Sequence, residues 1–373
     1  IINKEIRTGF IIQRLGEELD NGEILFKGYF ATHWLYTINL INLLEKSNIY
    51  LHNVIDSLTS NSLKTEIKIK NLGPIYKLPS IKILLFYFFS ITKIFFTKIL
   101  NKILSQDGQW NVAYQFTNEW KSVNSSKLNK IPNPPNRYLA DPFVIKKGKN
   151  HYCYVEDYNH KYKKGCISVY EINKDSCKEF GVALKENFHL SYPFLFNYKN
   201  ELYMCPETHE ANEIRLYKCT EFPLKWKFVK TLISDVSAVD TNIFFKNEKW
   251  WLMTNLSNSE IPDHASELHI FSSKNLLTDY WEPHKKNPVI FDPLMARNGG
   301  LINELNTLYR VHQKPGFNNY GESLGISKIE ELNENNYKES NELEVSPNFF
   351  KDLKGTHTYN FSDGLLVLDF KKS

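Results

Sequence analysis

Four pairs of side chains stand 15 residues apart along this chain: Asp141 with Glu156, Tyr192 with Glu207, Asp240 with Asn255, and Arg297 with His312. Carboxylates such as Asp141, Glu156, Glu207 and Asp240 are the groups that give, take or stabilise protons in general acid–base chemistry. Arg297, Arg310, His312 and Lys314 bring positive charge of the kind that holds an anion to the fourth member of the series. His209, after Pro206-Glu207-Thr208, either orients Glu207 or sits on the surface. The scattered His and Asp residues show no HExxH, DxD or EF-hand spacing, so no metal is expected, and no cofactor. Gly299-Gly300 lacks the strand–helix setting of a nucleotide loop.

The elements that must position these residues are β-hairpins. Segments opening at Asp141, Tyr192, Asp240, Arg297 and Thr356 each read as an apolar run, a polar turn and a second apolar or aromatic run. They recur every 48 to 59 residues, and further strands fit between them at Cys166–Ile172, Ile214–Cys219 and Leu268–Ser272. Three or four strands per unit, repeated five times at that period, predicts a five-bladed β-propeller over residues 108–373. In a blade, the start of the first strand and the end of the second share one rim, so the paired residues, with Thr356 and His357, converge on one mouth of the channel. Strand ends are often polar for no functional reason, which accounts for part of the pattern. It accounts less well for carboxylates next to rigid neighbours, as in Asp141-Pro142 and Pro206-Glu207.

The 373 residues are 42% hydrophobic and 24% charged, which excludes wholesale disorder and leaves ample material for a core. A net charge of +4 gives no reason to expect a nucleic-acid partner. The 14% aromatic content suits strands, or a site that stacks flat faces. Five cysteines at irregular spacing contain no CxxC pair, which disfavours a zinc knuckle or disulfide framework and favours a reducing compartment. Residues 1–107 read differently, as a mainly helical lead-in with helix expected over 30–104. Within it, Ile81–Leu104 is the most apolar stretch, carries four lysines and no acid, and has a longest uncharged run of ten residues, Ile83–Thr92. A bilayer needs about 20, so a spanning helix is not expected. Its Phe residues and lysines fit a helix lying in a membrane interface, or one packed on the next domain. The expected location is cytoplasmic, peripheral on the inner face of a membrane.

A resemblance attaches to the ordered series Tyr138-Leu-Ala-Asp-Pro-Phe-Val, Tyr154-Val-Glu-Asp-Tyr, Leu190-Ser-Tyr-Pro-Phe, Tyr203-Met-Cys-Pro-Glu-Thr, Asp240-Thr-Asn-Ile-Phe and Arg310-Val-His-Gln. It resembles five-bladed propeller carbohydrate enzymes of the family 43 glycoside hydrolase and fructosidase clan. The closer likeness is to the propeller domain of inositolphosphorylceramide glucosaminyltransferase-like proteins. The resemblance implies that Asp141 acts as base or nucleophile and that Asp240 tunes its geometry and pKa. The clan's third carboxylic acid has no match at the fourth blade, which opens with Arg297; Glu207 is the available acid, on another blade. Hydrolysis expels an alkoxide and needs a proton donor, whereas transfer from a phosphate-activated sugar expels a phosphate and needs cations.

The expectation is therefore a glycosyltransferase. Asp141, Asp240 and Glu207 are its catalytic set; Glu156, Asp157, Arg297, Arg310 and His312 bind substrate. Its partners are an activated sugar donor and a glycan or lipid-linked acceptor. Alternatives are a family 43-like furanosidase and a non-catalytic glycan-binding propeller. Asp157 reads either as a sugar ligand or as a solvated turn residue, and Arg297 either as a donor ligand or as a salt bridge to Asp141 or Asp240. Residues 6–28 resemble the tail of a formyltransferase-type domain. There the catalytic Asp precedes the glycine by two residues; here Arg7 holds that place, so formyl transfer is not expected.

Overall fold

The computed structural model describes residues 1–17, 22–59, 78–103 and 109–372. All five hairpins are present, and each turns on two residues. Lys199 and Asn200, Asn247 and Glu248, Leu305 and Asn306, and Asp363 and Gly364 all take positive φ. Two consecutive left-handed residues give the turn whose twist matches a strand pair, and this fixes the register of these four hairpins; in the remaining one, at residues 148–149, Gly148 alone has positive φ.

Further strands add outward from each hairpin. Blade I comprises Arg137–Lys147, Asn150–Asn159, Lys164–Ile172 and Cys177–Leu184. Blade II comprises Ser191–Tyr198, Glu201–Glu207, Glu213–Glu221 and Lys225–Ser234. Blade III has Ala238–Lys246, Lys249–Leu256 and Glu267–Ser273, with the short Glu282–Pro283 and Ile290–Phe291 both on its third strand. Blade IV has Asn298–Glu304, Thr307–Gly316, Asn319–Leu332 and Tyr337–Val345.

Blade V closes the ring. Its inner hairpin, Tyr359–Ser362 and Leu365–Lys372, comes from the end of the propeller sequence, but the next strand outward is Trp110–Phe116, which precedes blade I. Apolar faces pack between blades: Phe143 meets the ring of Tyr192 edge-on at 4.8 Å, and the buried set includes Ile243, Leu252 and Leu216. Each such buried side chain contributes about 1.5–3 kcal/mol. All five cysteines are free.

The N-terminal part holds the expected helices, preceded by a strand pair. Residues Arg7–Arg14 and Glu23–Ala31 pair as an antiparallel hairpin. Two helices follow, α1 (Tyr36–Thr59) and α2 (Ile81–Ile103); the part of the expected helical stretch at 60–77 lies outside the described residues. The hairpin and α1 dock on blade III through an aromatic cluster of Phe10, Phe26, Tyr50 and Phe291. Beside it Lys46 is buried 3.0 Å from Glu267 and 3.6 Å from Asp263, and the Tyr50 hydroxyl donates to Glu267 at 2.6 Å. Helix α2 includes a stretch, Ile81–Leu100, that is long and apolar enough to cross a membrane by length and composition.

Candidate active site

The 15-residue spacing is the spacing of a β-bulge. In blade I, Ala140 pairs with Glu156 but Phe143 pairs with Tyr154, so one residue is extra. The same slip occurs between Ser191 and Phe194, between Val239 and Asn242, and between Asn298 and Gly300. The bulged residues Asp141, Tyr192 and Asp240 have φ of 49°, 44° and 51°. A left-handed non-glycine residue costs about 1–3 kcal/mol, and for a bulky tyrosine it is uncommon. A bulge breaks the in–out alternation of a strand and re-aims a side chain. In blade IV the bulge falls on Gly299-Gly300. A Cβ on Gly300 would sit 2.3 Å from the Tyr359 carbonyl oxygen, so the glycine allows blades IV and V to touch.

Asp141 is held from blades II and V. Thr358 donates its hydroxyl to Oδ1 at 2.6 Å, and the Tyr192 backbone N–H donates to Oδ2 at 3.3 Å. The Asp141 N–H donates to Asp369 Oδ2 at 3.1 Å, while Asp369 Oδ1 accepts the N–H groups of His357 and Thr358. His357 Nε2 lies 3.7 Å from Asp141 Oδ1, and its Nδ1 lies 2.5 Å from Asp369 Oδ2, too poorly aligned for a hydrogen bond but close enough for a strong ion pair. The imidazole stacks on Trp110 at 3.8 Å between ring centres. Gly321 (φ +63°) makes room for it, since a Cβ there would come within 2.8 Å of His357. Asp141, His357 and Asp369 are the one trio among the described residues near enough to share a cation, with one atom each inside 4.8 Å, although the 2.5 Å contact is that of a direct pair.

Asp240 is held from blade IV. Arg297 Nε donates to its Oδ2 at 2.7 Å, and Gln313 donates to the same oxygen at 3.1 Å. The Arg297 guanidinium also lies 4.9 Å from the centre of the Tyr320 ring. Its terminal amino groups have no hydrogen-bond partner among the described residues. Glu156 is buried beneath Tyr138, whose hydroxyl lies 3.4 Å away, and beside His189 at 3.5 Å.

Burial and mutual repulsion set the protonation. Burial pushes Asp141 up to about 6, with the nearby His357 cation opposing the rise and the Asp369 and Asp240 carboxylates adding to it. Glu207 is raised well above the carboxylate range by burial and by Asp240, only partly offset by Arg297, and Glu156 by burial, Asp141 and Glu207. Burial alone would lower His357, but Asp369 and Asp141 outweigh it and raise the imidazole. Burial thus favours the protonated form of Glu156 and Glu207, while Asp141 stays ionisable near neutrality and Asp240 is paired with Arg297. The three shifts run in the same direction, and Asp141 alone has the charge of His357 opposing the rise from close by.

Three expected ligands lie elsewhere. Arg310 is fully buried and makes five hydrogen bonds, two to Glu339 and the others to Met295 O, Ala296 O and Asn298 Oδ1. Its guanidinium pins the entry of blade IV and has no donor to spare. His312 is buried against Ser327 at 3.3 Å, and burial with Arg310 beside it lowers its pKa to about 3, so it carries no charge for an anion. Asp157 is not a solvated turn residue: it is buried between Arg137 at 2.6 Å and Ser168 at 2.7 Å. Conversely, the sequence reading missed Asp369. Its signal was available as the lone acid in the apolar run Leu365-Leu-Val-Leu-Asp-Phe, because an isolated acid in a buried strand needs a partner. His264 was also missed; it sits 2.8 Å from Ser237, which His209 also approaches at 3.3 Å, the two rings meeting edge-on at 4.9 Å.

Comparison with known proteins gives the chain a family. The family described as "Glucosamine inositolphosphorylceramide transferase 1, N-terminal" matches residues 101–366. The chain belongs to this family. The glucosamine inositolphosphorylceramide transferase 1 of Arabidopsis thaliana is 36% identical over 231 residues, 61% of this chain and 29% of that protein. The protein of the same name from Oryza sativa subsp. japonica is 35% identical over 231 residues, 61% of this chain and 30% of that protein. The match thus spans under a third of these relatives' length. Among solved structures, the catalytic domain of the Coprinopsis cinerea GH62 α-L-arabinofuranosidase superposes with a TM-score of 0.50 at 10% identity, covering 71% of this chain and 97% of that one. That likeness bears on the fold alone.

Proposed function

We propose that the propeller mouth transfers a sugar from a phosphate-activated donor to a hydroxyl of a glycan or lipid-linked acceptor. The observation that carries this reading is the place of Arg297. It stands at the opening of blade IV, anchored through Nε to Asp240, with its terminal amino groups free to meet an anion. The donor's phosphate would rest there, and Glu207, pushed toward its protonated form by burial and by Asp240, would in that form donate a hydrogen bond to it. Asp141 would take the proton of the acceptor hydroxyl as its oxygen attacks the anomeric carbon. The bond from that carbon to the phosphate oxygen breaks, and its electrons leave with the phosphate. The names of the plant relatives support a glucosamine-type sugar and an inositolphosphoryl lipid as the classes to try first.

A second reading, hydrolysis of a furanoside, is favoured by the raised pKa of Glu207, since a protonated carboxylic acid can serve an alkoxide leaving group. Incubation with activated sugar donors and acceptors on one side, and with aryl furanosides in water on the other, separates the two. Asp141→Asn should lower turnover by about 10²–10⁴-fold, the usual contribution of a positioned base. A fully active Asp141→Asn variant rules out the assignment, and release of aglycone to water without transfer moves the function to the second reading.

A further inference from the structure

We propose that α1 and α2 seat the protein on the surface of an anionic bilayer, at the end of the propeller where the mouth opens. The docking stands on its own observations; that it brings a lipid-linked acceptor to the site rests on the function proposed above.

Helix α1 is amphipathic in the reverse of the usual sense. It buries Asn39, Asn42, Lys46, Tyr50 and Val54 against the propeller side and exposes Leu40, Ile41, Leu44, Leu51 and Ile55. A helix whose final environment is water turns its apolar stripe inward. Helix α2 goes further. Its stretch Ile81–Leu100 has a mean hydropathy of 1.8 and no buried residue. Tyr87, Ser90, Ile91 and Ile94 are half-buried, while Ile81, Leu85, Phe88, Phe89, Phe96 and Ile99 stand exposed. Apolar exposure on this scale marks a surface that something covers.

Charge decides what covers it. Residues 81–103 carry Lys82, Lys93, Lys98 and Lys102 and no acid. A second copy docked helix to helix would bring these like charges together, whereas anionic headgroups meet them while the rings enter the acyl boundary. Lying along the surface fits better than spanning it. The half-buried side of α2 rests on the protein body, where Tyr87 Oη accepts the Tyr36 N–H at 3.0 Å and Lys98 Nζ lies 5.2 Å from the Trp34 ring. A span would also carry Lys93 to bilayer depth, where charge is costly.

The place relative to the mouth follows from printed contacts. In blade III, Asn255 pairs with both Val239 and Leu268, so the start of the strand Glu267–Ser273 lies at the same end as Asp240. At that end Ser266 accepts the Ala31 N–H at 3.1 Å, and Lys46 of α1 meets Glu267 and Asp263. Tyr36, where α2 touches the body, is five residues beyond Ala31, a reach of at most about 18 Å. The apolar helices are thus tied to the rim that carries Ser237, His264 and His209 beside Glu207.

Co-sedimentation of the full chain with phosphatidylcholine vesicles, with and without about one-third phosphatidylserine, tests the docking without any sugar donor. We expect at least about tenfold stronger binding to the anionic vesicles, and loss of it in a Leu85→Glu/Phe88→Glu/Phe96→Glu variant whose circular dichroism is unchanged, because those side chains are exposed. Failure of the wild type to bind, equal binding by the triple variant, or dimerisation that the variant abolishes would overturn the proposal. Retention on membranes through alkaline carbonate would show a span and overturn the surface seat. Transfer to a soluble acceptor, measured in parallel, reports on the function alone.

Discussion

Replacing His357 by Gln removes a cation 3.7 Å from Asp141 Oδ1 while keeping a polar side chain between Trp110 and Asp369. Two unit charges at that separation interact by about 4 kcal/mol at an effective dielectric of 20, a ceiling of roughly 3 pKa units. The imidazole is protonated only when Asp369 and Asp141 hold it so, and Asp369 stays behind in the variant, so a shift of about 1–2 units is the working expectation. The sign is fixed: the cation favours the Asp141 carboxylate, so its loss raises Asp141 from about 6. A base must be ionised to act, and the acid limb of kcat/KM should therefore move from near pH 6 toward roughly pH 7–8. Activity at pH 7 should fall about two- to tenfold and recover at higher pH. The assay is a pH–rate profile of sugar transfer for wild type and His357→Gln. A limb that stays in place, or moves to lower pH, refutes the coupling of His357 to Asp141.

Arg297→Lys should keep a cation beside Asp240 but lose the planar fork, raising KM for a phosphate-activated donor by about tenfold with a smaller change in kcat; initial rates against donor concentration check it. Lys46→Met should destabilise by about 3 kcal/mol because it takes the ammonium away from the buried Glu267 and Asp263, leaving Glu267 with His269 at 3.1 Å and the Tyr50 hydroxyl, and Lys46→Met/Glu267→Gln should recover part of that. Denaturant unfolding of the three proteins reads both numbers. Equal stability of the single and double variants would show that the pair holds nothing together.

The hairpins were legible in the sequence because each is local: a two-residue turn such as Lys199-Asn200 fixes the register, and the bulge writes itself as a repeated distance between Asp141 and Glu156 or Tyr192 and Glu207. The site followed from those distances as far as Asp141, Glu156, Glu207, Asp240 and Arg297. What failed was side-chain direction. Arg310 and His312 lie on the same strand as Gln313, which reaches Asp240, but they point to Glu339 and Ser327. Spacing along one strand cannot tell a residue that faces a ligand from one that ties strands together. The inverted face of α1 was hidden for a related reason. The sequence marks a helix there without saying which face turns inward, and the partner surface, Glu267 and Asp263, explains why Lys46 does. Asp369 was out of reach of hairpin logic because its role depends on a blade assembled from two distant parts of the chain.

That shared blade has a consequence for how the protein comes into being. The hydroxyl of Tyr359 bonds the carbonyl of Trp120, partners 239 residues apart in sequence, and Trp110 is one wall of the His357 pocket. A ribosome must finish blades I to IV, which hold Asp141, Glu207, Asp240 and Arg297, before the strand bearing Asp369 exists to pair with Trp110–Phe116. Closing so long a loop is slow and entropically costly. Until it closes, Asp141 lacks Thr358, His357 and Asp369, so a nascent or clipped chain with four complete blades presents that carboxylate without the groups that hold it.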